Sequence, residues 1–492
     1  MKRITIAITF FILLILFSSC NEDALLNVQP ESLITTASAW ETEGMARSNV
    51  NGLMNQFRSP YNGDSFLHWF EHRSGHFQFG TSGGGAGTAN WTHLFNNTLI
   101  AGTSPGTNWM QLYRTINAAS LAIKYLPQID FRNENEKDRL LAQAYFIRAY
   151  VLYTLVRLYG DVPLPSQPFE SVEGELFLSR KPVADVFAQI RLDVAQALSL
   201  MPDDSHQNRI RPSMAAMQML KADVHLWTAK RLGGGDPDLA IAEEAVSQVL
   251  QNTNYRLLDD YERVFRNGQN DEIIFAIYFA IGEQSNQYGN EFVHSITTVL
   301  PPFRNNPVPV ASVSQRNDFT DHFVDNYLKR DPTDTRLETN FGEFMMAGRR
   351  LTWINKFQGE LQAGERWFND DTPIYRYAEA ILFMAEILNA RGRTDEAIGY
   401  LNIIAERAYG QNDYYSTGMT QAEADDAILD ERLIEFAGEG KSWMDYIRFG
   451  KAFERIPSLI GREGDKEGNV LLFPIDPGTL MRNPNLDQTP GY

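Results

Sequence analysis

Between Arg139 and Tyr159 the chain carries apolar residues on two helical faces at once. Leu140, Ala144, Ile147, Val151, Leu155 and Leu158 recur at steps of three and four. Leu141, Tyr145, Leu152, Val156 and Tyr159 form a second face. A helix lying on a surface needs one apolar stripe, whereas one with two must be covered from both sides. Layers of neighbouring helices are therefore required. Gly160 follows where a helix closes in a left-handed turn, and Pro163 and Pro165 prevent continuation. Ile374, Tyr377, Ala378, Ile381, Leu382, Ala385 and Leu388 form another stripe. Arg391-Gly392-Arg393 breaks it, and Thr394 opens a partner helix with Ala397, Leu401 and Ile404. Such short helix pairs, with Ala142, Ala149, Ala215, Ala222 and Ala385 allowing close approach, predict a mainly α fold with tetratricopeptide-like stacking.

The helical pattern falls into two blocks, about 39–251 and about 374–450. Residues 58–106 interrupt the first block and 252–373 separate the two. Both stretches are rich in Asn, Gly and aromatics and hold only short periodic pieces. The organisation expected is a leader at 1–19, an N-terminal region at 20–255 and a C-terminal region at 256–492.

The leader is marked by Lys2 and Arg3 before an apolar run from Ile4 to Phe17, too short to span a bilayer. Ser18-Ser19-Cys20 follows, with the only cysteine of the chain. The arrangement resembles a bacterial lipobox, with Phe17 and Ser19 where Leu and Gly or Ala are usual. It predicts removal of residues 1–19 and acylation of Cys20, which tethers the protein to a membrane. Asn21-Glu22-Asp23 resembles the surface-export signal of Bacteroidetes lipoproteins. A single cysteine excludes an internal disulfide and a zinc site built from cysteines. A formal charge of −18 repels phosphate backbones and argues against nucleic acid as a partner.

Several strings in order along the chain resemble the SusD/RagB family of Bacteroidetes outer-membrane lipoproteins. Trp109 to Asn117 reads WMQLYRTIN and Phe146 to Pro165 reads FIRAYVLYTLVRLYGDVPLP. Asn270 to Phe275 reads NDEIIF, and Asp334 with Arg336 forms a D-x-R element. Pro373 to Glu386 reads PIYRYAEAILFMAE. Glu431-Arg432 through Glu439-Gly440, then Trp443, Asp445 and Arg448, match the E-R-x-x-E-F-x-x-E-G-x-x-W-x-D-x-x-R pattern. Phe473-Pro474-Ile475 and the ending from Asn483 to Tyr492 complete the match. The resemblance implies helices in tetratricopeptide-like units with an irregular face built by long loops. It also implies a cell-surface protein of the outer membrane that captures oligosaccharides without catalysis or cofactor. The partner it implies is a SusC-like TonB-dependent transporter, to which the glycan is delivered. Peptide capture on the same scaffold is the alternative, and a surface glycoside hydrolase is a further one.

Most of the motif residues read as scaffold. Arg148, Arg376, Glu379, Glu386, Glu431, Glu439, Asp445 and Arg448 fall on packed helices, where opposite charges pair. A hydrolase would need two carboxyls flanking a sugar, and Glu431, Glu435 and Glu439 have the types for that work. No H-E-x-x-H or G-x-S-x-G string is present, and no metal or cofactor is expected.

The loops hold the binding chemistry. The C–H face of a sugar stacks on an aromatic ring, while its hydroxyls need polar partners. Residues 66–113 concentrate rings in loop-like sequence, with Phe66, Phe70, Phe77 and Phe79 alternating as short strands would. Trp69 and Trp91 are the expected sugar platforms, and His72, Arg73 and His76 the cationic donors beside them. A second region, Gln284 to Asn306, supplies Tyr288, Asn290, Phe303 and Arg304. Family sites shared between two such regions put Tyr288 opposite Trp69 or Trp91, with Trp353 and Trp367 in reserve.

Overall fold

A computed structural model describes residues 38–80, 85, 88–171, 176–203, 208–266, 268–283, 291–292, 316–363 and 365–492. Cys20, Tyr288, Asn290, Phe303 and Arg304 lie outside the described residues. The principal helices are α1 (Glu43–Arg58), α2 (Asp64–Phe70), α3 (Met110–Tyr125), α4 (Glu134–Tyr159), α5 (Val183–Leu200) and α6 (Met214–Arg231). They continue with α7 (Gly235–Leu250), α8 (Tyr377–Ala390), α9 (Thr394–Tyr409), α10 (Gln421–Glu435) and α11 (Ser442–Arg448). α1 packs on α3, and from α3 to α11 each helix packs on the next. The result is the layered stack that the two-faced helix requires.

That helix, α4, is central, and every residue from Ala149 to Tyr159 is buried. It begins before the apolar pattern does, at Glu134, where Glu134 and Glu136 suit the positive end of the helix dipole. Gly160 ends it with φ of 72°, and a Cβ there would meet a Leu472 methyl at 3.0 Å. Both the backbone turn and the contact demand glycine.

The stripe expected to start α8 at Ile374 starts later. Residues Thr372–Arg376 form a strand, and the helix opens at Tyr377. Pro373 has no N–H for a helix and holds the residue before it extended. The short strands are β1 (Phe77–Phe79), β2 (Ile273–Ile277), β3 (Asn317–Phe319), β4 (Phe341–Met346) and β5 (Arg349–Ile354), then β6 (Glu360–Gln362), β7 (Glu365–Trp367) and β8 (Thr372–Arg376). The described pairings are antiparallel: β1 with β3, β2 with β8, β4 with β5 and β6 with β7, besides a two-residue pairing of Val162–Pro163 with Arg180–Lys181. Only Phe77 and Phe79 of the four alternating phenylalanines are in a strand. Phe66 and Phe70 sit on α2, where Phe66 to Phe70 are all buried.

Where β8 meets α10, a buried ionic hub replaces apolar packing. Arg376 donates to Glu272 at 2.6 Å, to Glu435 at 2.8 Å and to Glu439 at 2.7 Å. Arg336 donates to Asp334 at 2.9 Å and Glu435 at 3.0 Å and pairs with Glu431, while Lys356 reaches Glu439 at 2.7 Å. Arg407 binds Glu272 and Glu435. Further along, Arg432 pairs with Glu379 and Asp445, and Arg448 with Glu386 and Asp445. Buried charges survive only when paired and hydrogen-bonded. Glu431, Glu435 and Glu439 are held in this way and are shut off from solvent.

Candidate functional site

The first of the two loop regions singled out in the sequence is joined by a strand pair to the chain that follows the second. β1 and β3 pair with Phe77 opposite Phe319 and Phe79 opposite Asn317. Gly80 N–H donates to Arg316 O at 2.8 Å and Thr320 N–H to His76 O at 2.8 Å, which closes the clasp at both ends. Arg316 binds Asp64 at 3.2 Å and also Glu291, and its guanidinium lies 5.6 Å from the centre of the Trp91 ring. Burial, with Asp64 adding to it, pushes the Glu291 carboxyl up to about 8.

The rings expected to meet sugar lie beneath this clasp and not on it. Trp69 is 2% exposed and Trp91 3%, and His72 and Arg73 are fully buried. Trp69 Nε1 donates to Gly106 O at 2.9 Å, and its ring meets Tyr61 edge-on at 6.5 Å. Trp91 packs against His68 and His72 at 5.1 and 5.0 Å. The Nδ1 atoms of His68 and His72 share a hydrogen bond of 3.0 Å. Burial drives both imidazoles toward the neutral form, His68 to about 3. His76 stacks on Phe323 at 3.7 Å, and burial lowers it also to about 3. Arg73 donates to Asn97 at 2.8 Å and to the carbonyls of Leu471 and Val470, and it lies 4.2 Å over Trp443. Trp69, His72, Arg73, His76 and Trp91 are thus core and scaffold, which corrects the expectation. The ring-rich segment folds into α2 and β1 and is roofed by the C-terminal chain around Val470 to Phe473. Trp353 is buried as well, whereas Trp367 on β7 is exposed.

The open ring next to these loops is one the sequence reading passed over. Tyr278 follows β2 and is 40% exposed, on the segment that runs to Glu283 and into the second loop region. A hollow lies on each side of it. One, of about 440 Å³, is lined by Phe265, Tyr278, Phe279, Asn369, Asp370 and Asp371 among others. The other, of about 350 Å³, is lined by Met54, Asn55, Arg58, Arg211, Tyr278 and Glu283 among others. Arg58 fixes the segment by donating to Tyr278 O at 3.0 Å, Asn55 Oδ1 at 2.7 Å and Glu283 at 3.3 Å. In the larger hollow, Phe279 N–H donates to Asp371 Oδ1 at 2.9 Å and Gly359 N–H to Asp370 Oδ2 at 2.6 Å. Burial raises these carboxyls to about 6 for Asp370 and about 7 for Asp371. A ring flanked by amides, carboxylates and guanidinium groups offers a stacking surface with hydroxyl partners on both sides.

Tyr278 was hard to find because IIFAIYF reads as one apolar run, the mark of a strand buried on both faces. All of β2 is so buried. The phenol at the end of the run was the only signal of an outward residue.

Among the described residues no group of three or more His, Cys, Asp and Glu is placed to hold a metal ion, and no helix is long and apolar enough to cross a membrane.

Comparison with known proteins follows the same lines. The SusD family profile matches residues 326–492, and the profile described as "Starch-binding associating with outer membrane" matches residues 78–226. The chain is 29% identical over 442 residues to SusD-like protein P2 of Formosa agariphila, covering 84% of this chain and 85% of that protein. It is 21% identical over 435 residues to the starch-binding protein SusD of Bacteroides thetaiotaomicron, covering 75% of each. The crystal structure of a SusD superfamily protein from Bacteroides fragilis is similar with a TM-score of 0.78 and 28% identity, over 92% of this chain and all of that one. Two profiles that together span more than half of the chain, relatives matched over three quarters or more of their length and a shared mainly helical fold agree with the motif strings: the chain belongs to the SusD/RagB family.

Proposed function

We propose that the protein is a saccharide-capturing lipoprotein, tethered through Cys20 to the outer face of the outer membrane. In this reading it holds oligosaccharides and passes them to a SusC-like TonB-dependent transporter. It binds without cleaving, because the carboxylates a hydrolase would use, Glu431, Glu435 and Glu439, are spent on the ionic hub. The lipobox-like string Ser18-Ser19-Cys20 supports the tether. The starch-binding description of one matching profile and of the Bacteroides thetaiotaomicron relative supports a saccharide ligand.

The observation that carries the reading to particular residues is the Tyr278 ring between its two hollows. A pyranose stacked on it meets Asn369, Asp370 and Asp371 on one side and Asn55 and Arg58 on the other. Tyr278→Ala removes the stacking face while leaving β2 intact. Titration calorimetry with neutral oligosaccharides should show about a tenfold loss of affinity, the size of one aromatic contact. Circular dichroism should be unchanged. Unaltered affinity would take Tyr278 out of the site.

A further inference from the structure

A further hollow, of about 270 Å³, opens between α5 and α6. It shares no lining residue with the two beside Tyr278. Val194, Ala195, Leu198 and Val224 give it apolar walls, and Arg191, Lys221 and His225 make up the rest of the lining. Helix spacing gathers these cations, since Lys221 and His225 stand one turn apart on α6 and Arg191 one turn before Val194 and Ala195 on α5.

Among the described residues one carboxylate, Asp238 on the first turn of α7, answers them, and its oxygens are already taken. His225 Nδ1 donates to Oδ1 at 2.8 Å. Arg191 Nη2 and the Thr228 hydroxyl donate to Oδ2 at 2.8 and 2.6 Å. Gly234 leaves room for this carboxylate, because a Cβ at 234 would overlap Oδ2. Donors remain that no described residue takes up. Arg191 Nε is buried without a hydrogen-bond partner, and Lys221 Nζ has neither a hydrogen bond nor an ion pair. Burial, with Arg191 and Lys221 adding to it, lowers the His225 imidazole against the pull of Asp238. Two fixed cations against one carboxylate leave a positive charge over, in a chain whose formal charge is −18.

We propose that this hollow is a second binding site, which takes a carboxylate carried on an apolar group. Arg191 and Lys221 receive the anion, and Val194, Leu198 and Val224 cover the apolar part. A buried donor without an acceptor costs free energy that an incoming oxygen returns. Charge-assisted bonds from guanidinium and ammonium are the strong ones, and a single charge in excess suits a monoanion. A cavity of about 150 Å³ is enough for benzene. The space here therefore admits a group the size of a leucine side chain together with its carboxylate. Such a group is offered by a free small acid or by the C-terminal end of a polypeptide.

The test is calorimetry of the purified protein with N-acetyl-L-leucine, N-acetyl-L-leucinamide, acetate and inorganic phosphate. N-acetyl-L-leucine should bind. Its amide has the same shape without the charge and should bind at least about tenfold more weakly. Acetate, which lacks the apolar part, and phosphate, which carries more charge than the site balances, should also be weaker. Any of these three matching N-acetyl-L-leucine overturns the proposal, as does a lack of binding by N-acetyl-L-leucine at millimolar concentration. Two more probes, 4-methylvalerate and a short glycine peptide ending in leucine, separate the sources. Tighter binding of the first supports a free acid as the ligand, and tighter binding of the second supports a chain end.

Lys221→Gln removes a cation that no described residue uses and should weaken N-acetyl-L-leucine several-fold. Ala195→Phe fills the hollow from an exposed position and should abolish binding, with helical content unchanged by circular dichroism. Should Ala195→Phe fail to fold, Lys221→Gln still decides. Undiminished affinity in either folded variant overturns the proposal.

Discussion

Glu435 is where the ionic hub can be tested most directly. Arg336 and Arg376 reach its carboxylate at 3.0 and 2.8 Å, and Arg407 completes the set. Its own carbonyl also accepts from Tyr261, Lys356 and Arg376. Burial opposes the charge, yet Arg407, Arg376 and Arg336 together hold the carboxyl well below the usual range. Glu435→Gln keeps the volume and one acceptor oxygen but turns an NH2 group toward guanidinium donors. Breaking a buried pair costs about 3–5 kcal/mol. Asp334, Glu272, Glu431 and Glu439 remain to neutralise the cations, so the lower end, about 3 kcal/mol, is expected. Unfolding entropy for a chain of this length is about 1 kcal/mol per degree. The melting temperature should therefore fall by about 3 °C, with a matching drop in the urea midpoint. The same variant separates binder from hydrolase. A catalytic Glu435 would lose glycan cleavage while melting like the wild type. A shift under about 1 °C would refute the claim that the hub bears on stability.

Two further expectations follow from burial. Trp69→Ala and Trp91→Ala should each lower stability by about 3–5 kcal/mol through the cavity left behind, read by urea melts. The folded fraction should bind saccharide as the wild type does, and a selective loss of affinity would return these rings to the site. Glu71 is fully buried, accepts from Gly440 N–H at 2.6 Å, and is pushed by burial up to about 8. The folded chain thus keeps a proton that the unfolded chain releases near pH ~4.3. The stability this contributes is complete below that pH and is lost as pH rises through about 8. Relative to Glu71→Gln, the wild type should weaken steadily between pH ~5 and about 8 and level off above that. A difference that stays flat across that range would show that Glu71 is ionised when folded.

What was legible in the sequence was what is local. The two faces of α4, the Gly160 stop and the break at Arg391-Gly392-Arg393 follow from spacing within one segment, and all appear in the fold. The pairing of motif charges was also readable, as Arg376 with Glu439 and Arg448 with Glu386 bear out. The start of α8 was misread because an apolar residue before a helix looks like its first turn. Pairing of Thr372–Arg376 with Ile273–Ile277, about a hundred residues away, decides otherwise. Distance along the chain also hid the fate of Arg73. Its acceptors at Val470 and Leu471 cannot be inferred from the segment in which Arg73 sits. Ring density near Trp69 was real, but whether a ring is roofed depends on chain that arrives from the other terminus. Tyr278 was lost for the opposite reason, since an apolar run gives no sign of where cover ends.

The β1–β3 clasp ties two stretches that lie far apart in the chain. Gly80 is held to Arg316 and His76 to Thr320 by backbone hydrogen bonds, so each strand is the other's footing. A substitution that unseats one of them would therefore release both.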